Sequence, residues 1–291
     1  MMIPFGEWLP DLPAFGNPGA LTVTNVYPTG GGYLPFGDIA ASSSNGLDAR
    51  CQGAYAAQDS VRNNVTFAGD ATKLYRLTAA TFADVSKVSG YAIAAEDQWS
   101  FLQYGDRVIA CNIMDNTQSF TIASSTLFAD LSTTAPRAKY SGVVRDFVVF
   151  ANTWDASDLF QPKRVWWSPI DAPTGDYTPN ATTQADYQPL EGEGGQITGF
   201  VGGTYGVVFQ DRAIWRMTYQ GSPSVFRFDQ MEKERGTTIP GSIASIGRLI
   251  FYLADDGYYR FDGQQSTGIG TDKVDRTFFA DLDATYSSRI S

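Results

Sequence analysis

The chain has 291 residues, 43% hydrophobic and 18% charged, which suits a globular protein of one large domain, or one domain and an arm. Its net charge of −10, from 21 basic and 31 acidic residues, disfavours tight nucleic-acid binding, which works by Lys and Arg neutralising phosphates. Histidine is absent, so a Ser-His-Asp triad, a Cys-His dyad and any His-ligated zinc or iron site are excluded within the chain. Frequent Gly (29), Tyr (15) and Phe (19) favour strands joined by tight turns over helices. No run of eighteen apolar residues predicts a membrane span, and the opening Met1 to Trp8 reads as no signal peptide. Cys51 and Cys111 are too few for a disulfide scaffold and are expected as two buried, reduced thiols. Without a secretory signal, the glycosylation patterns at Asn64 and Asn180 are read as chance matches.

Residues 1–48 stand apart. Six prolines (Pro4, Pro10, Pro13, Pro18, Pro28, Pro35) remove backbone donors and block regular ladders. Between them lie Phe5, Trp8, Leu9, Leu12, Phe15, Tyr27, Tyr33 and Phe36, apolar residues that a disordered tail lacks. An extended arm is expected, docked on its own body or on a neighbouring subunit. Trp8, Leu9 and Leu12 are its candidate assembly contact.

Residues 49–291 read as a repeat of short strands. Val65 to Gly69 leads through Asp70-Ala71-Thr72 to Lys73 to Leu77, and Val108 to Asn112 leads through Asp115-Asn116-Thr117 to Ser119 to Ile122. Each pair predicts a hairpin, and the two superpose with a shift of 45 residues. Thr81-Phe82-Ala83-Asp84-Val85-Ser86 recurs as Leu127-Phe128-Ala129-Asp130-Leu131-Ser132, a shift of 46, and Phe279 to Leu282 echoes it a third time. Three further pairs share the layout: 142–152 with 163–168, 206–210 with 211–217, and 249–253 with 256–261. In each, a doubly buried apolar run, expected as an inner strand, precedes an aromatic run expected as a middle strand. Short helical stretches are expected only near 80–86 and 272–282. A period of 40–45 residues predicts an all-β β-propeller of about five to six blades, with the segment from Asp272 opening a further unit that stops short.

Candidate chemistry is sparse. Glu191-Gly192-Glu193-Gly194-Gly195 lacks the Lys-Ser/Thr ending of a phosphate loop, and its glutamates repel phosphate. Gly268 to Lys273 has only a G-x-G core. Asp115-Asn116-Thr117 and Asp255-Asp256-Gly257 fall short of a calcium loop and read as turns. The carboxylate pairs Glu96-Asp97, Asp255-Asp256 and Glu232 with Glu234 would suit a glycosidase, but the Ser-x-Asp-x-Gly-x-x-Trp box of sialidase propellers is missing. Trp99, Trp154, Trp166, Trp167 and Trp215 are expected to fill space between blades before serving as a sugar platform. No catalytic, cofactor or metal residue is assigned, and an enzyme is not expected.

Glu7-Trp8-Leu9-Pro10-Asp11-Leu12-Pro13, Asn25-Val26-Tyr27-Pro28, Gly32-Tyr33-Leu34-Pro35-Phe36, Phe67 to Tyr75 and Val274 to Phe279 together resemble the tail-hub or nozzle proteins of short-tailed bacteriophages, also called packaged-DNA stabilisation proteins. The resemblance implies a virion tail protein that forms a six-fold ring below the portal and its adaptor. Such a hexamer prolongs the DNA channel, retains the genome, conducts it at ejection without sequence-specific binding, and carries fibres or spikes. Members of that family generally run longer than this chain. A receptor- or carbohydrate-binding propeller is the alternative, and a carboxylate glycosidase ranks below both.

Overall fold

The computed structural model describes residues 6–30 and 32–290; Pro4, Phe5 and Gly31 of the expected arm lie outside the described residues. The chain divides into two compact units, one of residues 1–41 with 239–291 and the other of residues 42–238. Both are built from antiparallel strands.

In the first unit, β1 (Val26–Thr29) and β2 (Gly32–Pro35) form a two-stranded hairpin. The second unit holds four four-stranded sheets, each a meander in chain order. Sheet 1 is β3 (Ala54–Gln58), β4 (Asn64–Gly69), β5 (Leu74–Thr78) and β6 (Thr81–Asp84). Sheet 2 is β7 (Ser100–Tyr104), β8 (Arg107–Cys111), β9 (Gln118–Thr121) and β10 (Ala129–Asp130). Sheet 3 is β11 (Arg137–Val144), β12 (Phe147–Asp155), β13 (Leu159–Trp167) and β14 (Asp186–Pro189). Sheet 4 is β15 (Ile197–Val201), β16 (Gly206–Gln210), β17 (Ala213–Tyr219) and β18 (Phe226–Lys233). A fifth such sheet belongs to the first unit: β19 (Ala244–Ile246), β20 (Leu249–Ala254), β21 (Gly257–Phe261) and β22 (Ser266–Gly268).

The second strand of each sheet is the apolar one, because both its faces are covered. Gly206-Val207-Val208-Phe209-Gln210 is buried throughout, as are Val108 to Cys111 and Phe147 to Thr153. In the second unit the space between successive sheets is filled by one apolar layer each. Phe67, Trp99, Phe120 and Phe128 lie between sheets 1 and 2, with the Phe67 ring edge-on to Phe120 at 5.3 Å and to Phe128 at 5.8 Å. Ile109, Phe150, Trp166 and Tyr177 join sheets 2 and 3, and Phe147, Trp167, Val208 and Phe226 join sheets 3 and 4. Four-stranded meanders packed face to face in chain order, like the four of the second unit, are propeller blades, and with the like meander of the first unit the chain is an all-β protein of β-propeller type.

First strands of neighbouring sheets also meet edge to edge. The Ser100 and Ser141 hydroxyls are 2.9 Å apart, Gln103 donates to the Gln58 carbonyl at 2.6 Å, and Gly203 donates to the Val143 carbonyl at 2.8 Å. Asn152 sits opposite a bulge of β13, where residues 162–164 face it alone, with a left-handed φ of 58°, which asparagine tolerates, and its Nδ2 reaches the Ile197 carbonyl at 2.8 Å.

Several sequence expectations need correction. The apolar and aromatic runs are the second and third strands of each sheet, the central pair, while the first strand is a separate, less apolar segment such as β3. Residues 81–84 are a strand, not a helix, because they pair with β5. Asp70 does not correspond to Asp115. Asp70 Oδ1 accepts the amides of Thr72 and Lys73, and the residue that does the same in sheet 2 is Asn112, with Met114 and Asp115; in sheet 3 it is Asp155, with Ser157 and Asp158. The spacings are therefore 42 and 43, and the longer turn in sheet 2 created the apparent shift of 45. The shift of 46 at the sheet ends holds, since Val85 donates to Leu74 as Leu131 donates to Thr117. Phe279 to Leu282, the third echo, opens no further strand: the helix α1 (Asp275–Asp281) occupies that segment. Cys111 is buried and its thiol is pushed up to about 12 by burial, but Cys51 is exposed.

Candidate assembly surface

The arm is organised by its own polar groups, since its prolines prevent a ladder. Leu9 donates to the Ala20 carbonyl at 2.9 Å and Ala20 to the Glu7 carbonyl at 2.8 Å, closing a loop. Asn17 braces that loop from inside, donating to the Leu9 carbonyl at 2.9 Å and accepting from the Gly19 amide at 2.7 Å. Leu9 is 7% exposed and lies against Gly19, where a Cβ would come within 2.9 Å of its side chain. Trp8 points the other way, 40% exposed, with its indole N–H on the Leu21 carbonyl at 3.2 Å. Leu12 is half-buried, its amide on the Leu9 carbonyl.

Asp11, between these residues, ties the loop to the end of the chain. Its carboxylate accepts from the amides of Arg276 and Thr277, both at 2.8 Å, and from the Thr277 hydroxyl at 2.7 Å. Helix α1 has no capping side chain of its own, its N-cap position being Val274, so a residue 265 positions away supplies the cap. Burial raises the Asp11 carboxyl, but the hydrogen bonds from Thr277 and Arg276 together outweigh it and hold the group below the ordinary carboxylate range. The Asp11 amide donates to the Lys273 carbonyl at 3.1 Å, and Lys273 pairs with Glu7 at 3.0 Å. Phe278 of the helix packs edge-on to Tyr258 of β21 at 5.0 Å.

The arm thus turns Leu9 and Asp11 onto its own chain and leaves other apolar groups outside. Phe15 is 98% exposed and Ile39 86%, with Leu21, Tyr27, Leu34 and Phe36 each between 43% and 59%. Tyr27 and Leu34 are directly paired across the β1–β2 hairpin, which no third strand covers among the described residues. Sequence reasoning counted Phe15 among the arm's apolar residues but singled out Trp8, Leu9 and Leu12; the more exposed Leu21 and Ile39 carried no local pattern to mark them.

Several of the remaining candidates take part in structural hydrogen bonds. The Glu191 to Gly195 loop folds onto β16, with Gln210 donating to the Gly195 carbonyl at 2.9 Å and Asp211 accepting the Gln196 amide at 3.0 Å. The Gly270 carbonyl receives the amides of Lys273 and Val274, leading into α1. Asp115 accepts the Ala92 amide, and Asp256 accepts the Tyr259 hydroxyl. Among the described residues no group of three or more acidic or cysteine side chains could hold a metal ion.

No protein-family model matches the chain, and no curated protein matches it. Among solved structures it is similar to BamB from Moraxella catarrhalis, at 13% identity and TM-score 0.42 over 70% of this chain and 55% of that one. It is also similar to the computationally designed Ika8 protein, at 8% identity and TM-score 0.40 over 76% and 75% of the two chains. A third likeness is to the extracellular domain of the putative hybrid two component system BT4673 from B. thetaiotaomicron, at 12% identity and TM-score 0.41 over 77% of this chain and 34% of that one. The chain spans about half the length of the BamB structure and about a third of the BT4673 domain. These likenesses are weak, and the fold assignment rests on the sheets themselves.

Proposed function

We propose that the chain is a structural, ring-forming component of a short-tailed phage tail, a nozzle or hub subunit below portal and adaptor. The observation that carries the proposal is the apolar exposure of the arm: seven large apolar side chains between Trp8 and Ile39 face solvent in the isolated chain. Exposed apolar surface gathered in one segment is the mark of a partner surface. Closed rings need such a patch to meet a different patch on the next subunit. The acidic balance of the chain suits a conduit along which DNA slides without binding. The sequence resemblance supplies the virion, the six-fold symmetry, and the adaptor, fibre and spike partners.

The experiment compares wild type with Phe15→Ser/Ile39→Ser by sedimentation and negative-stain electron microscopy, with and without an adaptor ring. These two side chains are the most exposed of the arm, so their removal leaves the monomer's melting curve unchanged. Rings of six in the wild type that dissociate in the variant support the proposal. Persistent monomers for the wild type under both conditions overturn it, as do rings that the variant forms equally well. Deleting residues 2–20 is the poorer test, because it also removes the Asp11 cap from α1.

A further inference from the structure

The unit of residues 42–238 contains an open cavity of about 560 Å3 where the hairpin joining β12 and β13 projects beyond the sheet core. Trp154, Trp166 and Tyr187 supply its aromatic lining, and Arg137, Asp155 and Asp158 its charged groups. That volume lies within the range of small-molecule sites.

Its charges largely cancel. Arg164, 2% exposed, runs beneath the lining with its guanidinium 4.6 Å from the Trp166 ring centre and 4.8 Å from that of Tyr187. It donates to Asp158 at 2.7 Å, to the Thr153 hydroxyl at 2.9 Å, and to Asp155. Arg137 stacks on Trp154 at 4.2 Å and is anchored by the Met114 carbonyl at 2.8 Å. Two arginines therefore face two aspartates, and the cavity offers no net charge to attract an ion.

Hydrogen-bonding capacity is left over. Five of the six tryptophans donate their indole N–H: Trp8 to Leu21, Trp99 to Asp70, Trp166 to Tyr177, Trp167 to Gln184 and Trp215 to Gln210. Trp154 alone has no hydrogen-bond partner for its indole among the described residues, and it lines the cavity. Asp158 engages Arg164 through one carboxylate oxygen only, and its side chain is 46% exposed. A donor and an acceptor thus stand free beside a set of aromatic rings.

We infer that this cavity binds a neutral saccharide, stacked on the Trp154 side of the lining, accepting from the Trp154 indole N–H and donating hydroxyls to Asp158. A sugar combines apolar C–H faces with hydroxyls that donate and accept, and it carries no charge, which is the combination the lining presents. An anionic ligand meets the carboxylates of Asp155 and Asp158, while Arg137 is already held by the Asn116 and Met114 oxygens against Trp154; a purely apolar ligand leaves the indole and carboxylate unpaired. This inference goes beyond the ring-assembly proposal and does not depend on it.

The test is saturation-transfer NMR on the full chain with maltotriose, cellotriose and triacetylchitotriose, and with trigalacturonate as a charged counterpart. At least one neutral trisaccharide is expected to give ring-proton transfer that Trp154→Ala abolishes. Trp154→Phe keeps a ring but loses the N–H, so its affinity is expected to fall about 5- to 10-fold while the fold is retained. Asp158→Ala, at a half-exposed position, is expected to weaken binding by a similar factor. Transfer from none of the neutral sugars at about 10 mM, well above millimolar affinity, overturns the inference. Transfer that persists unchanged in both Trp154 variants, or that arises only with trigalacturonate, overturns it equally.

Discussion

Replacing Asp11 by Ala tests how the arm and the end of the chain depend on each other. The substitution removes three acceptor contacts, to the Arg276 amide, the Thr277 amide and the Thr277 hydroxyl. Loss of an N-cap costs about 0.5–2 kcal/mol, and α1 belongs near the upper end, since it has seven residues and no other side-chain cap. About 2 kcal/mol corresponds to a roughly 30-fold rise in the local opening constant. The readout is amide hydrogen exchange over residues 275–281, where Phe278 donates to the Val274 carbonyl. Asp11→Asn keeps an acceptor and loses the charge at the helix start, so it should fall between wild type and Ala, about 0.3–1 kcal/mol below wild type. Acid supplies an independent arm of the experiment. The folded carboxyl lies below its unfolded value, so the cap is fully present above about pH 4 and is lost as pH falls through the folded pKa. Wild-type protection, corrected for intrinsic exchange, should therefore fall in that window while that of Asp11→Asn stays flat. Protection in Asp11→Ala within twofold of wild type would falsify the assignment of Asp11 as the cap.

Four further outcomes follow from the packing. Arg164→Ala leaves Asp155 without its guanidinium partner beneath the cavity and should cost about 2–4 kcal/mol in a denaturant melt, whereas Asp158→Ala, half-exposed, should cost about 1 kcal/mol or less; equal costs would contradict the burial argument. Asp70 is fully buried, and burial raises its carboxyl, but the Thr72 and Lys73 amides and the Tyr75 and Thr72 hydroxyls outweigh that and hold it low. Its contribution is present above the unfolded pKa and lost as pH falls through the folded one, so Asp70→Asn should flatten the acid side of a stability–pH curve; an unchanged slope would count against this. Gly142→Ala places a Cβ 2.7 Å from the Phe200 ring and should cost about 1–3 kcal/mol by thermal melt, and a neutral result would show that the ring yields freely. A thiol reagent should titrate one cysteine in the folded chain, Cys51, and the second only on unfolding; two fast thiols would place Cys111 outside the core.

The parts of the fold that were legible in the sequence are those dictated by burial. β8, β12 and β16 are covered on both faces, and their unbroken apolar runs say so. Edge strands gave no such signal: β3 buries one residue of five and β10 none of two, and their pairing depends on the neighbours they meet. Turn chemistry was legible in kind and not in register. Asp and Asn both make the amide-accepting turn, at residues 70 and 112, and a match of Asp to Asp picks out Asp115 instead. The short helix expected near 272–282 is there as α1, yet the echo of Thr81 to Asp84 at Phe279 did not show that the two segments fold differently. What makes the later one helix is Asp11 at its start and Tyr258 against Phe278, and neither partner is near in sequence. The arm's apolar content was legible, yet which residues it turns inward was not. The Leu9 side chain packs onto Gly19 while Trp8, bridged to Ala20 only along the backbone, leaves its ring 40% exposed, and the two are adjacent.

Sheet 3 shows where a repeat stops being only a scaffold. Its second and third strands run nine residues each, against five and six for β8 and β4, and five and four for β5 and β9. The core needs only the inner part of that hairpin: Phe147 to Ala151 and Val165 to Trp167 fill the layers against sheets 2 and 4. The bulge opposite Asn152 marks the change, for the register shifts there and Thr153 to Gln161 extends past it. An extension that buries little apolar surface gains little stability, yet this one contains two aspartates and a half-buried tryptophan, and the almost fully buried Arg164 at its base engages both aspartates. Buried ion pairs rarely add stability over an apolar core, so stability alone does not explain the network. Its effect is positional: Arg164 fixes the side of the cavity on which Trp154 and Asp158 stand with unused hydrogen-bonding groups. Local departures from a regular fold tend to collect where a protein does something besides fold. By that measure the β12–β13 hairpin is where a ligand is most profitably sought in the unit of residues 42–238, and Trp154 is the residue to change first.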